Sequence, residues 1–300
     1  MPTDIEITER SRIARRLGSV LEPVVGQVYF SPECHANYVA LGFDASPGDA
    51  SGVALPDGAS YFASRGSVMG AVPGEVIAAA FGVFNPEIVV PLVDVAWSRT
   101  DAATIREARA KGAVDQLRRI LGDEPDGAAR AVELLAAASA PLPIAGRPMA
   151  AGIRSLPVPS DPLAAVWHHG DFLREYRGDS HNAAWVAAGL TPTQIGLLTE
   201  MYWGLGMRTY SRSRGWTEAQ FDAAEADLRA RGLLDGDGFS DAGRELRESI
   251  EVATDEQMAP ALDALGDDVF ELFTIMEPWG SAVRAGLGYL SDGPHDLAKR

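Results

Sequence analysis

Between Asp161 and Gly189 the chain reads DPLAAVWHHGDFLREYRGDSHNAAWVAAG, and no other stretch is so dense in groups that can hold or move a proton. It carries His168, His169 and His181, the guanidinium groups of Arg174 and Arg177, and the carboxylates of Asp171, Glu175 and Asp179. A carboxylate that accepts an imidazole N–H fixes the ring's tautomer and raises its basicity. Asp171 or Asp179 beside a histidine therefore makes a general base or a ligand-gripping dyad. The same residue types equally make an ion-pair net that locks two helices, since structural networks perturb charged groups as sites do. A metal site is disfavoured. Cys34 is the one source of thiolate, and the adjacent His168 and His169 project about 100° apart on a helix, unlike a chelating i, i+4 pair.

The elements that must position these groups begin with Asp161-Pro162, an N-cap followed by a proline at the first helical position. The helix is expected to run to about Arg177. Trp167, Gly170, Asp171, Arg174 and Gly178 then share one face, with His168, Phe172 and Glu175 on the adjoining stripe. Gly178 is expected to end it in a left-handed conformation, and Asp179 or Ser180 to cap a second helix holding His181, Asn182 and Trp185. Arg177, Asp179 and His181 would crowd that bend.

With 300 residues, 46% of them apolar, the chain can bury sizeable cores and reads as two domains. No apolar run approaches the roughly 20 residues that span a bilayer, and the start PTDIEITERSRIARR is charged where a signal peptide is apolar. These features predict a cytoplasmic protein with no membrane partner. A single cysteine excludes an internal disulfide framework. The balance of 26 basic against 42 acidic residues, net −16, opposes a phosphate backbone and disfavours nucleic acid.

Residues Ile5 to about Leu21 read as an amphipathic helix, with a further start signal at Ser31-Pro32-Glu33. Cys34 and His35 are adjacent, a pair more often packed than ligating. Residues 44–58 read as a loop. The following stretch, YFASRGSVMGAVPGEVIAAAFGVFNPEIVVPLVDVAW, mixes small and aromatic residues. Phe62, Phe81, Phe84 and Trp97 can line an apolar pocket with Arg65 and Asn85 as polar handles, or simply fill a helical core. Helices are expected over Thr100–Leu121 and Gly127–Ala138. A proline-rich passage, residues 141–160, separates an N-terminal helical domain (1–140) from a C-terminal one (161–300). GAVPGE and LGMRTYSRSRG lack the strand context of phosphate-binding glycine loops.

The second half runs helix (TPTQIGLLTEMYWG), connector (LGMRTYSRSRGW), helix (TEAQFDAAEADLRARGLL, with Thr217 and Gln220 as a capping box), DGDG turn, then helix (FSDAGRELRESIEVATDEQM). That is the order of a winged helix. ADLRARGLLDGDGFSDAGRELRESI resembles the second half of a MarR-type domain. Together with YFSPE, YFASRGSVMG, FGVFNP and LREYRGDSHNAA, it makes nearly the whole chain similar to a bacterial helix-turn-helix, MarR-like winged-helix family. The resemblance implies a mainly α fold, an N-terminal helical domain plus a C-terminal winged-helix-like domain with a small β wing. It carries no catalytic or binding residues with it.

In a DNA-binding winged helix the recognition helix enters the major groove and its flanks meet phosphates. Here Thr217–Arg231 holds Glu218, Asp222, Glu225 and Asp227 against Arg229 and Arg231, and the turn adds Asp235 and Asp237. Such a helix is a poor partner for a polyanion. Arg208, Arg212 and Arg214 in the connector are the counter-evidence, being placed either to grip an anion or to pair with the acidic helix.

The leading expectation is a small-molecule binder with an interior cavity between the two halves. Its ligand is held by Trp167, Arg174, Arg177, Arg65, Asn85, Phe84 and Tyr29, and no cofactor or metal is required. A cofactor-independent enzyme, with His168, His181 and Asp179 as acid/base groups, is the second reading. A MarR-like ligand-responsive regulator, which would work as a homodimer, is the third.

Overall fold

Short polar side chains start most of the helices, and the computed structural model, which describes residues 7–290, shows them in that role. Thr8 accepts from the Ser11 N–H to open α1 (Glu9–Gly26); Ile5, where the sequence places this helix's start, lies outside the described residues. Ser31 caps α2 (Pro32–Ala40), Asp57 caps α3 (Gly58–Gly66), and Pro73 precedes α4 (Gly74–Phe81). Asn85 caps α5 (Pro86–Arg99) and Asp101 caps α6 (Ala102–Leu121), followed by α7 (Ala128–Ser139).

The proline-rich passage contains a short helix, α8 (Pro148–Arg154), which buries Met149, Ala150 and Ile153. Asp161 caps α9 (Pro162–Ala187), and reciprocal Thr–Gln capping boxes open α10 (Pro192–Tyr202) and α11 (Glu218–Ala230). A hairpin of β3 (Leu234–Asp235) and β4 (Gly238–Phe239) pairs Leu234 with Phe239. Ser240 caps α12 (Asp241–Glu256), and α13 (Ala259–Leu265) and α14 (Asp268–Ala285) complete a mainly helical protein. A second hairpin, β1 (Asp49–Ala50) with β2 (Val53–Ala54), lies in the loop before α3.

The 26-residue α9 is the axis of the fold, packing on α1, α6, α7, α8 and α12. It does not break at Gly178, as the sequence leads one to expect. Glycine inside a helix costs about 1 kcal/mol relative to alanine, but Tyr176, Arg177, Asp179 and Ser180 around it are all buried and hold the backbone helical. Arg177, Asp179 and His181 thus lie on one uninterrupted helix rather than at a junction between two.

The buried apolar side chains form two clusters. The larger draws on α1–α9 and on α13 and α14, which fold back against the N-terminal half. The smaller joins Trp185 at the end of α9 to Ile195, Leu198, Phe221, Leu228, Leu234 and Ile250. Val83 touches both clusters. Among the described residues no helix is long and apolar enough to cross a membrane.

One close approach is set by glycine. A Cβ on Gly112 of α6 would sit 2.6 Å from the backbone N and Cα of Cys34 in α2. Backbone cannot yield as a flexible side chain does, so Gly112→Ala is expected to cost about 1–3 kcal/mol in urea unfolding. A cost below roughly 0.5 kcal/mol, the usual range for surface substitutions, would contradict that packing.

Candidate functional site

The turns of α9 from Arg174 to Asn182 face a cavity of about 820 Å³ bounded by α1, α3, α4, α5, α10, α12 and the connector between α10 and α11. Its apolar wall is aromatic. Tyr61, Phe62, Phe81 and Phe84 meet mostly edge to face or tilted, with centroids 5.1–6.2 Å apart, the arrangement that ring quadrupoles favour. Gly178 lines the space from the middle of α9, and a Cβ there would find only the Glu175 carboxylate, at 3.9 Å. The missing side chain keeps the cavity open.

The polar wall is an ion-pair net. Glu175 accepts two bonds from Arg65 (2.9 and 2.8 Å), one from Arg174 (3.0 Å) and one from the Tyr29 hydroxyl (3.1 Å). Arg174 also forks onto Glu22 at 3.0 Å on each arm, and Tyr289 donates to the same carboxylate. Burial pushes Glu175 upward, yet Arg65 and Arg174 overrule it and hold the carboxyl at about 2. Burial pushes the Tyr29 hydroxyl well above its ordinary value, so Tyr29 stays a neutral donor.

Behind this net, Arg109 forks onto Asp171 (2.7 and 3.0 Å) and lies 4.8 Å from the Trp167 ring. A second net joins Arg177 to Glu251 (2.7 Å) and Asp255 (2.9 Å), and Arg247 to Glu251 (2.7 Å).

The expected site residues divide accordingly. Tyr29, Arg65, Phe84, Arg174, Arg177, Asp179 and His181 line the cavity together. Trp167 does not; it is buried beneath Arg109 and donates to the Val25 carbonyl. Asn85 caps α5 and ties down the connector by donating to the Gly215 carbonyl at 2.9 Å. His168 lies off the cavity, with its ring against His169, and burial lowers its pKa. Trp97 donates to the Val72 carbonyl, away from the aromatic wall. Cys34 and His35 are packed: the thiol is pushed up to about 12 by burial, and His35 bonds the Tyr29 carbonyl.

No dyad forms from the expected acid/base groups. His181 shares its Nδ1 with the Thr254 hydroxyl at 3.1 Å, and that hydroxyl donates onward to the Ile250 carbonyl. The imidazole therefore carries its proton on Nδ1, and burial depresses its pKa to about 4, so the ring is neutral. Asp179 accepts from the Ala150 N–H at 3.0 Å, not from a histidine. Burial, with Glu175 adding to it, raises Asp179 to about 7 against the opposing backbone hydrogen bonds and Arg65.

Several cavity and network residues escape notice in the sequence: Glu22, Tyr61, Arg109, Tyr210, Arg247, Glu251 and Tyr289. Arg109 has a readable signal, since it stands with Gln116 in the core stripe Ile105, Arg109, Ala113, Gln116 of α6. A charge on an apolar stripe demands a buried partner.

Around α11 the arginines of the connector are mostly consumed. Arg208 pairs with Glu218, Asp222 and Glu225, and Arg212 pairs with Glu218. The outward face of α11 presents Glu218, Asp222, Asp227 and Arg229 between alanines.

A family model described as a helix-turn-helix family matches residues 14–290. No curated protein and no solved structure matches the chain.

Proposed function

The chain belongs to this helix-turn-helix family, and on that premise we propose that it is a MarR-like small-molecule-binding protein whose ligand occupies the cavity facing α9. The observation that carries this is the cavity itself. Its volume of about 820 Å³ falls in the range of small-molecule sites, roughly 300–1,000 Å³, and an aromatic wall opposite a few fixed polar groups is their usual lining. The order α10, connector, α11, hairpin, α12 supports a winged-helix-like unit. We draw that unit around Trp185–Ile250, narrower than the 161–300 expected from the sequence, because those residues share the smaller apolar cluster.

Against duplex binding stands the charge of α11: its exposed carboxylates would face phosphates, and Arg208 and Arg212 are already paired to them. A regulator reading draws on the family and on the exposed face of α11, and the same preparations test it. The enzyme reading has less support, since neither His168 nor His181 meets a carboxylate.

Native mass spectrometry of the purified chain is expected to show a bound species of drug-like size, released on unfolding. Gly178→Leu, which grows into the cavity while improving helix propensity, is expected to lose that species with its melting temperature held or raised. A chain that carries nothing, and is shifted in melting temperature by no member of a broad metabolite set, would refute the proposal. Sequence-specific gel retardation at moderate salt, abolished by replacing Arg212 and Arg214, would move the assignment to the regulator.

A further inference from the structure

We infer that the ligand is an organic monoanion with an apolar body, and that Arg214 and Ser211 receive its acid group; this rests on the ligand-binding reading above. The cavity is lined by six arginines, Arg65, Arg174, Arg177, Arg212, Arg214 and Arg247. Five of them have carboxylates: Glu175, Glu22, Glu251, Asp255 and Glu218 are their partners. Arg214 is different. Among the described residues no carboxylate lies within 4.0 Å of it; its guanidinium lies 4.4 Å from the Phe84 ring centroid and 4.5 Å from that of Tyr210, and donates to the Tyr210 hydroxyl. Contact with two rings steadies a guanidinium but does not neutralise it. Among the described residues Arg214 is thus the cavity-lining arginine with no carboxylate in contact; the nearby buried Glu200 carboxylate is taken by backbone N–H groups of Arg208 and Ser211.

A second, independent observation lies one turn earlier. Ser211 is 2% exposed, lines the same cavity, and its hydroxyl has no hydrogen-bond partner among the described residues. Buried hydroxyls are ordinarily satisfied. Ser211 and Arg214 belong to the 3-10 helix Tyr210–Arg214, in which side chains three residues apart eclipse one another, so the two residues stand on one side of that helix.

The backbone that carries them is held at both ends. The Ser211 N–H donates to Glu200 at 2.5 Å, and the Arg214 carbonyl accepts from the Asn85 N–H at 2.9 Å. One planar fork with one hydroxyl suits a carboxylate or sulfonate, whereas a phosphate dianion calls for more positive charge. The neighbouring Phe84 and Phe62 supply the surface for an apolar body.

Anilinonaphthalene sulfonate and its uncharged parent, N-phenylnaphthylamine, share one ring system and differ in the acid group, so fluorescence titration with both separates charge from shape. The full-length chain is expected to prefer the sulfonate by roughly tenfold or more, the order of one charge-assisted hydrogen bond. Arg214→Gln is expected to abolish that preference with the neutral dye unchanged. Arg214→Lys should keep part of it, Ser211→Ala should lower it more modestly, and Gly178→Leu should abolish binding of both dyes.

If both dyes bind and are lost in Gly178→Leu, yet Arg214→Gln leaves their ratio as it was, the inference falls and the cavity reading stands. If neither dye binds, or the sulfonate still binds to Gly178→Leu, both fall. Should Arg214→Gln fail to fold, the Lys and Ser211→Ala variants decide: a ratio unmoved by Ser211→Ala and lost in Arg214→Lys counts against the inference.

Discussion

Glu175→Gln is expected to remove about 3–5 kcal/mol of folding stability, the range for breaking a buried ion pair by deleting one partner. The carboxylate is 2% exposed and receives four hydrogen bonds from Arg65, Arg174 and Tyr29. Glutamine keeps the shape but replaces one acceptor oxygen with an amide that is itself a donor, aimed at guanidinium donors. Arg174 retains Glu22, whereas Arg65 retains no carboxylate among the described residues. The double replacement Glu175→Met with Arg65→Met is expected to cost less than the sum of the singles, because it strands no charge.

The pH dependence has a definite sign. Glu175 ionises at about 2 in the folded chain, below its ordinary value near 4.3, so its contribution is complete above the ordinary value and fades as the pH falls toward 2. Urea titrations of the wild type and Glu175→Gln should therefore differ most at neutral pH and converge in acid. A neutral-pH difference under about 1 kcal/mol, no more than an exposed salt bridge is worth, would mean the net is far wetter than its geometry shows.

That network marks where sequence reasoning reaches its end. The helix-start chemistry was legible, because Asp161-Pro162 and Thr217/Gln220 act within a few residues of themselves. The acid-rich character of α11 was legible for the same reason, and of the two readings open for Arg208 and Arg212 the structure shows the pairing with that helix. Partner choice across the chain was not. Asp171 looks like a companion for a histidine in the linear sequence, yet its partner is Arg109, 62 residues away, and Glu175 draws Arg65 from 110 residues away. Gly178 misled for a different reason: its local preference for ending a helix is worth about 1 kcal/mol, and the buried neighbours on either side outweigh it. Its function as an open space in the cavity wall can be seen only once α3 and α4 are placed opposite.

Asp179→Asn is expected to stabilise the protein at pH 8 by about 2–4 kcal/mol, the reverse of what removing Glu175 does. Both carboxyls lie on α9 and both are buried, but Glu175 has two arginines in hydrogen-bonding contact, whereas Asp179 has the Ala150 N–H. Burial, and then repulsion from Glu175, lift its ionisation to about 7. Between the ordinary aspartate value, near 3.9, and about 7 the folded chain keeps a proton that the unfolded chain has given up. Stability associated with this group is whole in acid, declines as the pH rises through that window and is lost above it. A displacement of that size corresponds to about 4 kcal/mol at most, and asparagine, which is never charged and can still accept from Ala150, avoids the loss.

His181 titrates in the overlapping range with the opposite effect, since it is neutral when folded. The difference between wild type and Asp179→Asn at each pH cancels that contribution. The difference is expected to be small at pH 4 and to grow to its full size by pH 8 in urea unfolding. Equal differences at the two pH values, or a loss of stability at pH 8, would show that Asp179 ionises normally. Asp179 lines the cavity, and once ionised its charge also repels the anion inferred above, so the variant that stabilises the chain is expected to retain a co-purified anion at pH 8 at least as well as the wild type does.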